Sequence, residues 1–174
     1  MKRLNIGAGK RILKGYDNLD IHKRFGANII ADLTKLPTKI KSNCYDEVLA
    51  ENILEHMHDT LKVMDEFVRI LKKEGVLIIQ VPYSDNAWDS MDHTREFLIT
   101  TFLDYVEQFD LGTPKKLDFL SAKFVTRQTS SWVRLKVSIY NLLIKIHLKI
   151  IDYTFLRFFS KGLSIRVKFK KIKK

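Results

Sequence analysis

A single cysteine, Cys44, among 174 residues has no partner for an internal disulfide, so nothing in the chain calls for an oxidising compartment and a cytoplasmic location is expected. Three prolines and seven glycines are too few for a linker-rich or disordered protein. With 45% apolar residues they predict one packed body, a single domain over 1–174. No uncharged apolar run reaches the roughly 18 residues that a membrane span needs, and the basic start Met1–Asn5 meets Gly7 without the apolar stretch of a secretory signal. Acidic residues are scarce in one region only. Residues 1–132 hold 19 Lys and Arg against 19 Asp and Glu, whereas 133–174 hold 12 against Asp152 alone, which is the whole net charge of +11. A neutral body with a basic end argues against an enzyme whose entire face tracks nucleic acid. It points instead to a docking surface within 133–174, an anionic membrane being one candidate partner.

Hydrophobic patterning divides the chain into alternating elements. Strands are expected at Arg3–Gly7, Tyr16–Ile21, Ala27–Leu33 and Tyr45–Ala50. Asp59–Lys73 reads as a helix, because Leu61, Met64, Phe67, Val68 and Leu71 recur at steps of three and four, with Gly75 expected as its left-handed stop. Val76–Pro82 is nearly all apolar, as a strand covered on both faces would be, and is expected at the sheet centre. Residues Ser84–Arg95 read as a loop, Thr100–Phe109 as a helix, and Leu117–Arg127 and Leu163–Ile172 as strands. Between these two strands, 133–159 reads as a basic, apolar helical insertion before the last strand, 163–172. The whole is an α/β fold: a Rossmann-like, doubly wound, mostly parallel sheet with a C-terminal antiparallel strand and extra C-terminal helices.

In such sheets ligands bind at the carboxyl ends of the strands. There, Gly7 and Gly9 let the backbone turn and approach a ligand closely, and Asp20, at the next strand end, can accept hydrogen bonds from a ribose diol. The blander account makes the glycines plain turn residues and Asp20 and Asp32 helix caps. NAD is disfavoured because Ile12 stands where the third glycine of G-x-G-x-x-G belongs.

The runs Leu4–Gly9, Asn18–Asp20, Ala31–Leu33 and Tyr45–Val48, then Glu55-His56 and the turn Arg69–Gly75, resemble class I S-adenosylmethionine (SAM) dependent methyltransferases, over Leu4 to about Arg127. The resemblance implies SAM as cofactor. Asn5, Gly7, Ala8 and Gly9 would wrap its methionine and ribose, Asp20 with Ile21 would hold the ribose side, Asp32 and Leu33 would flank the adenine, and Glu51 and Asn52 would complete the site. Two departures stand out: Asn5 replaces a customary acid, and eleven steps from Gly9 to Asp20 shrink the first crossover helix to a turn or two. That shortening, and the run Met91–Arg95, resemble a compact bacterial subgroup found beside polysaccharide biosynthesis enzymes.

Methyl transfer is an in-line displacement that chiefly requires alignment, with a base when the acceptor is a hydroxyl. His93, on the loop after the apolar strand, is the candidate base; a solvent-facing histidine is the alternative. Arg95 could grip an anionic group of the acceptor or pair with Asp92 or Glu96, and Trp88 could wall the acceptor or pack in the core. Small-RNA 2′-O-methyltransferases and some quinone-pathway methyltransferases bind a divalent ion through E-x-x-E-H. Here Asn52 replaces the first Glu, so no metal is expected, with Glu55 placed at a helix start and His56 under the cofactor loop. Residues 133–159 could lie on an anionic membrane, cover the pocket or form a dimer contact. RNA is the least favoured partner, because no aromatic-basic module is present. The expected function is methylation of a small polar or saccharide acceptor, at oxygen. A catalytically silent SAM-binding or membrane-docking protein, and an RNA or quinone-pathway methyltransferase, are the alternatives.

Overall fold

The computed structural model describes residues 1–84, 90–107 and 116–172. Seven strands form one sheet: β1 (Arg3–Ile6), β2 (Asp17–Asp20), β3 (Ile29–Ile30), β4 (Tyr45–Glu51), β5 (Leu71–Pro82), β6 (Leu117–Val125) and β7 (Ser164–Lys171). Their order is β3-β2-β1-β4-β5-β7-β6. The first five run parallel, and β7 lies antiparallel between β5 and β6. The order reverses between β1 and β4, so their carboxyl ends flank a crevice. Among the described residues the helices are α1 (Thr60–Ile70), α2 (Ile99–Glu107) and α3 (Ser131–Ile146), with short 3₁₀ turns at Lys23–Phe25, Leu54–His56 and Phe155–Phe159.

Period-two alternation decides which face of the sheet is covered. Leu4, Ile6, Val48, Ala50, Leu77, Ile79, Val81, Ile165, Val167 and Phe169 share one face through the strand register and are buried. Against this core pack Val63, Met64, Phe67 and Ile70 of α1, Ile99, Phe102 and Val106 of α2, and Tyr140 and Ile144 of α3. The opposite face carries Arg3, Asn5, Glu47, Leu49, Val76, Ile78, Gln80, Arg166, Lys168 and Lys170, several of them half-exposed. The reason lies in the first crossover. Residues 7–16 contain no helix, where the spacing predicts one cut to a turn or two, and the second crossover contains only a 3₁₀ turn at Lys23–Phe25.

Several boundaries differ from expectation. The α1 helix stops at Ile70, and β5 starts at once with Leu71, paired to Tyr45. Gly75 is therefore a strand residue. The left-handed position belongs to Glu74 (φ 65°), and Gly75 is glycine because a Cβ there would stand 2.9 Å from Lys72 O and 3.2 Å from Tyr45 O. The apolar strand is one place from the middle, which β4 occupies. β3 shrinks to two residues because the chain turns at Asp32, whose carboxylate accepts from Thr34 N (2.9 Å) and Thr34 Oγ1 (2.7 Å). The 133–159 stretch is helical only to Ile146, then breaks into turns and a 3₁₀ segment at Phe155–Phe159.

Gly75→Ala should therefore cost about 1–3 kcal/mol, read as a lower urea midpoint with an unchanged denaturant slope; an unchanged midpoint would contradict the close approach at this bulge.

Candidate active site at the carboxyl edge

The site starts from a polar clasp. Asn5 Nδ2 donates to Asn18 Oδ1 and to Arg11 O, both at 2.9 Å, and Asn18 Oδ1 also accepts from Leu13 N at 2.9 Å. Both amides are buried, so each satisfied bond avoids the penalty of an unpaired polar group. Asn5 is thus a brace for the 7–16 loop, its side chain spent on the scaffold. The clasp holds Gly7 (φ 66°) and Gly9 (φ 49°) in left-handed turns, and Ala8 N bonds Leu19 O at 2.9 Å.

Asp20 points at this loop. Its Oδ2 accepts from Gly9 N at 2.8 Å and its Oδ1 from His22 N at 2.9 Å; a carboxylate with one bond per oxygen keeps further acceptor capacity. Neither Asp20 nor Asp32 caps an α-helix. The two glycines differ in purpose. A Cβ on Gly7 would meet Ile53 Cδ1 at 2.0 Å, so Gly7 makes room for Ile53. A Cβ on Gly9 would find nothing nearer than Gly7 O at 4.0 Å, so open space lies over it. Ile21 follows Asp20 with its side chain exposed. Leu33 sends its side chain into the core, and Asp32 is spent partly on its own turn, with Thr34 holding its carboxyl below the usual range.

At the tip of β4, Glu51 is clamped between Arg11 and Arg166, the latter at 2.7 Å, while Arg166 also donates to Gln80 Oε1 at 2.6 Å. Asn52 takes a left-handed turn (φ 55°), and its Oδ1 is buried without a partner. The roles of Ile53, Arg11 and Arg166 are not visible in the sequence, because they depend on the β5–β7 register and on how the 7–16 loop folds back.

Beyond Ile53, a 3₁₀ turn at Leu54–His56 meets the loop after β5. Thr94 donates from N to Glu55 O (2.7 Å) and from Oγ1 to Glu55 O and Met57 O (both 3.1 Å). These bonds bring His93 to His56, ring centroids 4.8 Å apart and edge-on, and His56 Nδ1 lies 3.0 Å from Asp92 Oδ2. Glu55, His56 and His93 offer ligand atoms within 4.8 Å of one another. Glu55 is fully buried, and neither of its oxygens has a hydrogen-bond partner; burial pushes its carboxyl above the usual range. Glu55 thus sits in the first turn of a short 3₁₀ helix, a helix start as expected, and His56 beside it faces His93 and Asp92. Arg95 pairs with neither Asp92 nor Glu96: its Nη1 donates to Thr60 Oγ1 at 2.8 Å, fastening the loop to the start of α1. Trp88 lies outside the described residues.

The Glu55 environment sets a pH dependence. A carboxyl whose folded pKa is raised loses stability as pH climbs above its unfolded value of about 4.3, and burial is the main cause here. In chelator-containing buffer Glu55→Gln should raise the melting temperature at pH 8, and the gain should shrink towards pH 4. A lower melting temperature at pH 8 would show that the carboxylate is satisfied after all.

Comparison with known proteins agrees with the geometry. Residues 17–79 match the Methyltransferase domain family. An uncharacterised protein of Methanocaldococcus jannaschii is 40% identical over 72 residues, which is 40% of this chain and 31% of that protein, so the match spans under a third of the relative. Among solved structures, BH2331 of Bacillus halodurans, a candidate methyltransferase, superposes over 99% of this chain and 93% of its own at a TM-score of 0.62 and 12% identity. The N-methyltransferase NodS of Bradyrhizobium japonicum, in complex with S-adenosyl-L-homocysteine (SAH), aligns over 99% and 78% of the two chains at a TM-score of 0.60 and 11% identity. A SAM-dependent methyltransferase of Archaeoglobus fulgidus aligns over 98% and 86% at 0.58 and 16%. Residues 17–79 thus carry the sequence pattern of the Methyltransferase domain family, and the fold is that of solved methyltransferases.

Proposed function

We propose that the protein transfers a methyl group from SAM to a hydroxyl of a small polar or saccharide acceptor. The observation that carries this reading is the Asp20 carboxylate bonded to Gly9 N beneath open space over Gly9. The residues present fit the cofactor. Asp20 keeps lone pairs for a ribose diol, exposed Ile21 offers an apolar surface to an adenine ring, and the partnerless Asn52 Oδ1 is an acceptor awaiting a donor. SAM, when bound, supplies an electrophilic methyl on sulfonium. The chain's own task is then alignment: the glycine loop and Ile53 fix the floor, and the Glu51–Arg11–Arg166 clamp holds the tip of β4 rigid. His93 is assigned to activation of the acceptor hydroxyl, whose proton must leave as the new C–O bond forms. Arg95, on the same loop as His93 and tied to Thr60 Oγ1, is assigned to the acceptor side.

A second observation bears on where the enzyme works. The α3 helix is held inward by Tyr140, whose hydroxyl donates to Leu156 O at 2.6 Å, and by Asn141, which brackets Phe124 N and O. Outward it presents Trp132, Leu135, Ile139, Leu142 and Ile146, each 47–72% exposed and spaced by three and four. Arg134, Lys136, Lys145 and Lys149 flank this stripe. The one acid of the region, Asp152, is buried against Tyr83 and Thr100 N, so no carboxylate opposes an anionic surface. No helix among the described residues is long and apolar enough to cross a membrane. An apolar stripe edged by cations suits the interface of an anionic bilayer, and we assign α3 to that contact.

Calorimetry with SAH should give saturable binding to the wild type and a loss of about 100-fold for Asp20→Ala; equal affinity of the two proteins would defeat the assignment of Asp20. In vesicle sedimentation, the chain should pellet with phosphatidylglycerol-containing but not pure phosphatidylcholine vesicles, and Ile139→Asp with Leu142→Asp should release it. A protein that ignores anionic vesicles, or a stripe-dependent dimer in light scattering, would remove the membrane from the account.

A further inference from the structure

We propose that Glu55, His56 and His93 together bind one divalent first-row transition ion, with zinc as the reference probe. The three side chains come from two segments, the 3₁₀ turn after β4 and the loop after β5, yet their ligand atoms converge within 4.8 Å of one another. Convergence alone is common. What sets this cluster apart is Glu55, fully buried with both carboxylate oxygens lacking any hydrogen-bond donor. A buried, unpaired carboxylate is costly unless something positive meets it, and the groups turned towards it here are two imidazoles.

The surroundings are those of a ligand shell. Thr94 ties the loop to the turn through three hydrogen bonds, so the donors are held in place before any ion arrives. Asp92 beside His56 Nδ1 provides the carboxylate that a ligating imidazole needs on its other nitrogen, which leaves Nε2 for the ion. Two nitrogens and one carboxylate oxygen are the donor set of open zinc and non-haem iron sites, whereas Mg²⁺ and Ca²⁺ ask for more oxygens. The site opens to solvent through a cavity of about 790 Å³ lined by Ile53, His56, His58, Asp92, His93 and Thr94 among others, so an ion can enter and keep positions for an outside ligand.

Ile53 belongs both to this cavity and to the wall against Gly7, which places the ion next to the proposed methyl donor. There it would hold the acceptor's hydroxyl and lower its pKa, and the activation assigned to His93 would be exerted through the metal. This last role rests on the methyltransferase reading; the binding of the ion does not.

The test uses the full chain, stripped with chelator, titrated with Zn²⁺ by calorimetry and with Co²⁺ by visible absorption, and with SAH in parallel on each sample. One equivalent of Zn²⁺ should bind, with d–d bands for Co²⁺. Glu55→Gln and His93→Ala should each weaken binding about 100-fold or more, and His147→Ala, on the exposed end of α3, should leave it unchanged. A wild type that takes up no zinc, or variants that bind it as well as the wild type, would overturn the proposal. SAH binding without zinc binding would sink the metal site alone, and zinc binding without SAH binding would support it while sinking the methyltransferase reading.

Discussion

The edge of this protein depends on how ten residues, 7–16, join two adjacent parallel strands. A parallel crossover commonly needs a dozen residues or more, usually with a helix that packs back on the sheet. Here no helix is available, so the loop is held by polar bonds instead of apolar burial. Asn5 and Asn18 bind each other and the backbone of Arg11 and Leu13, and Asp20 binds Gly9 N. The Asp20 carboxylate is thereby held against the glycine loop, between Gly9 N and His22 N. Loss of either amide would break the Asn5–Asn18 bond and leave the other to hold the loop alone, Asn5 through Arg11 O or Asn18 through Leu13 and Tyr16.

The missing crossover helices also explain the lopsided layers. One face of the sheet has α1, α2 and α3 and a continuous core. The other has polar and charged side chains, with Tyr16 lying over Arg3 and bonding Glu47 as a partial cover. The continuous apolar core is thus concentrated on the helical face. The α3 helix adds a second asymmetry, because its outward stripe is apolar where a surface helix would normally be polar.

Much of this was legible in the chain itself. The four early strands, the helix over 60–70 and the antiparallel last strand follow from periodicity, and the closeness of Asp20 to Gly7–Gly9 follows from strand order. The misreadings share one cause, that tertiary contacts outrank local signals. Gly75 looks like a helix stop but yields to the approach of Lys72 O and Tyr45 O. Arg95 looks poised for Asp92 or Glu96 but reaches Thr60. Asn5 closes the loop through Asn18 and Arg11 O, a bracing role that its place in the sequence does not show. The meeting of Glu55 and His56 with His93 is also invisible in the sequence, since His93 lies on a loop that only the folded chain brings alongside. Sequence spacing cannot report such a meeting, whereas a buried carboxylate with no donor can.

Two readings of one edge therefore stand side by side: a nucleoside held by the β1 and β2 tips, and an acceptor activated across Ile53 by Glu55, His56 and His93. A fold alone does not decide chemistry, so the account rests on where the ligand sits. The most direct measurement is a titration of isotope-labelled protein with SAH followed by amide chemical shifts. The account predicts that the largest shifts fall on Gly7, Gly9, Asp20, Ile21 and Asn52, with α3 undisturbed. Shifts absent from the glycine loop, or concentrated away from the tips of β1, β2 and β4, would contradict it.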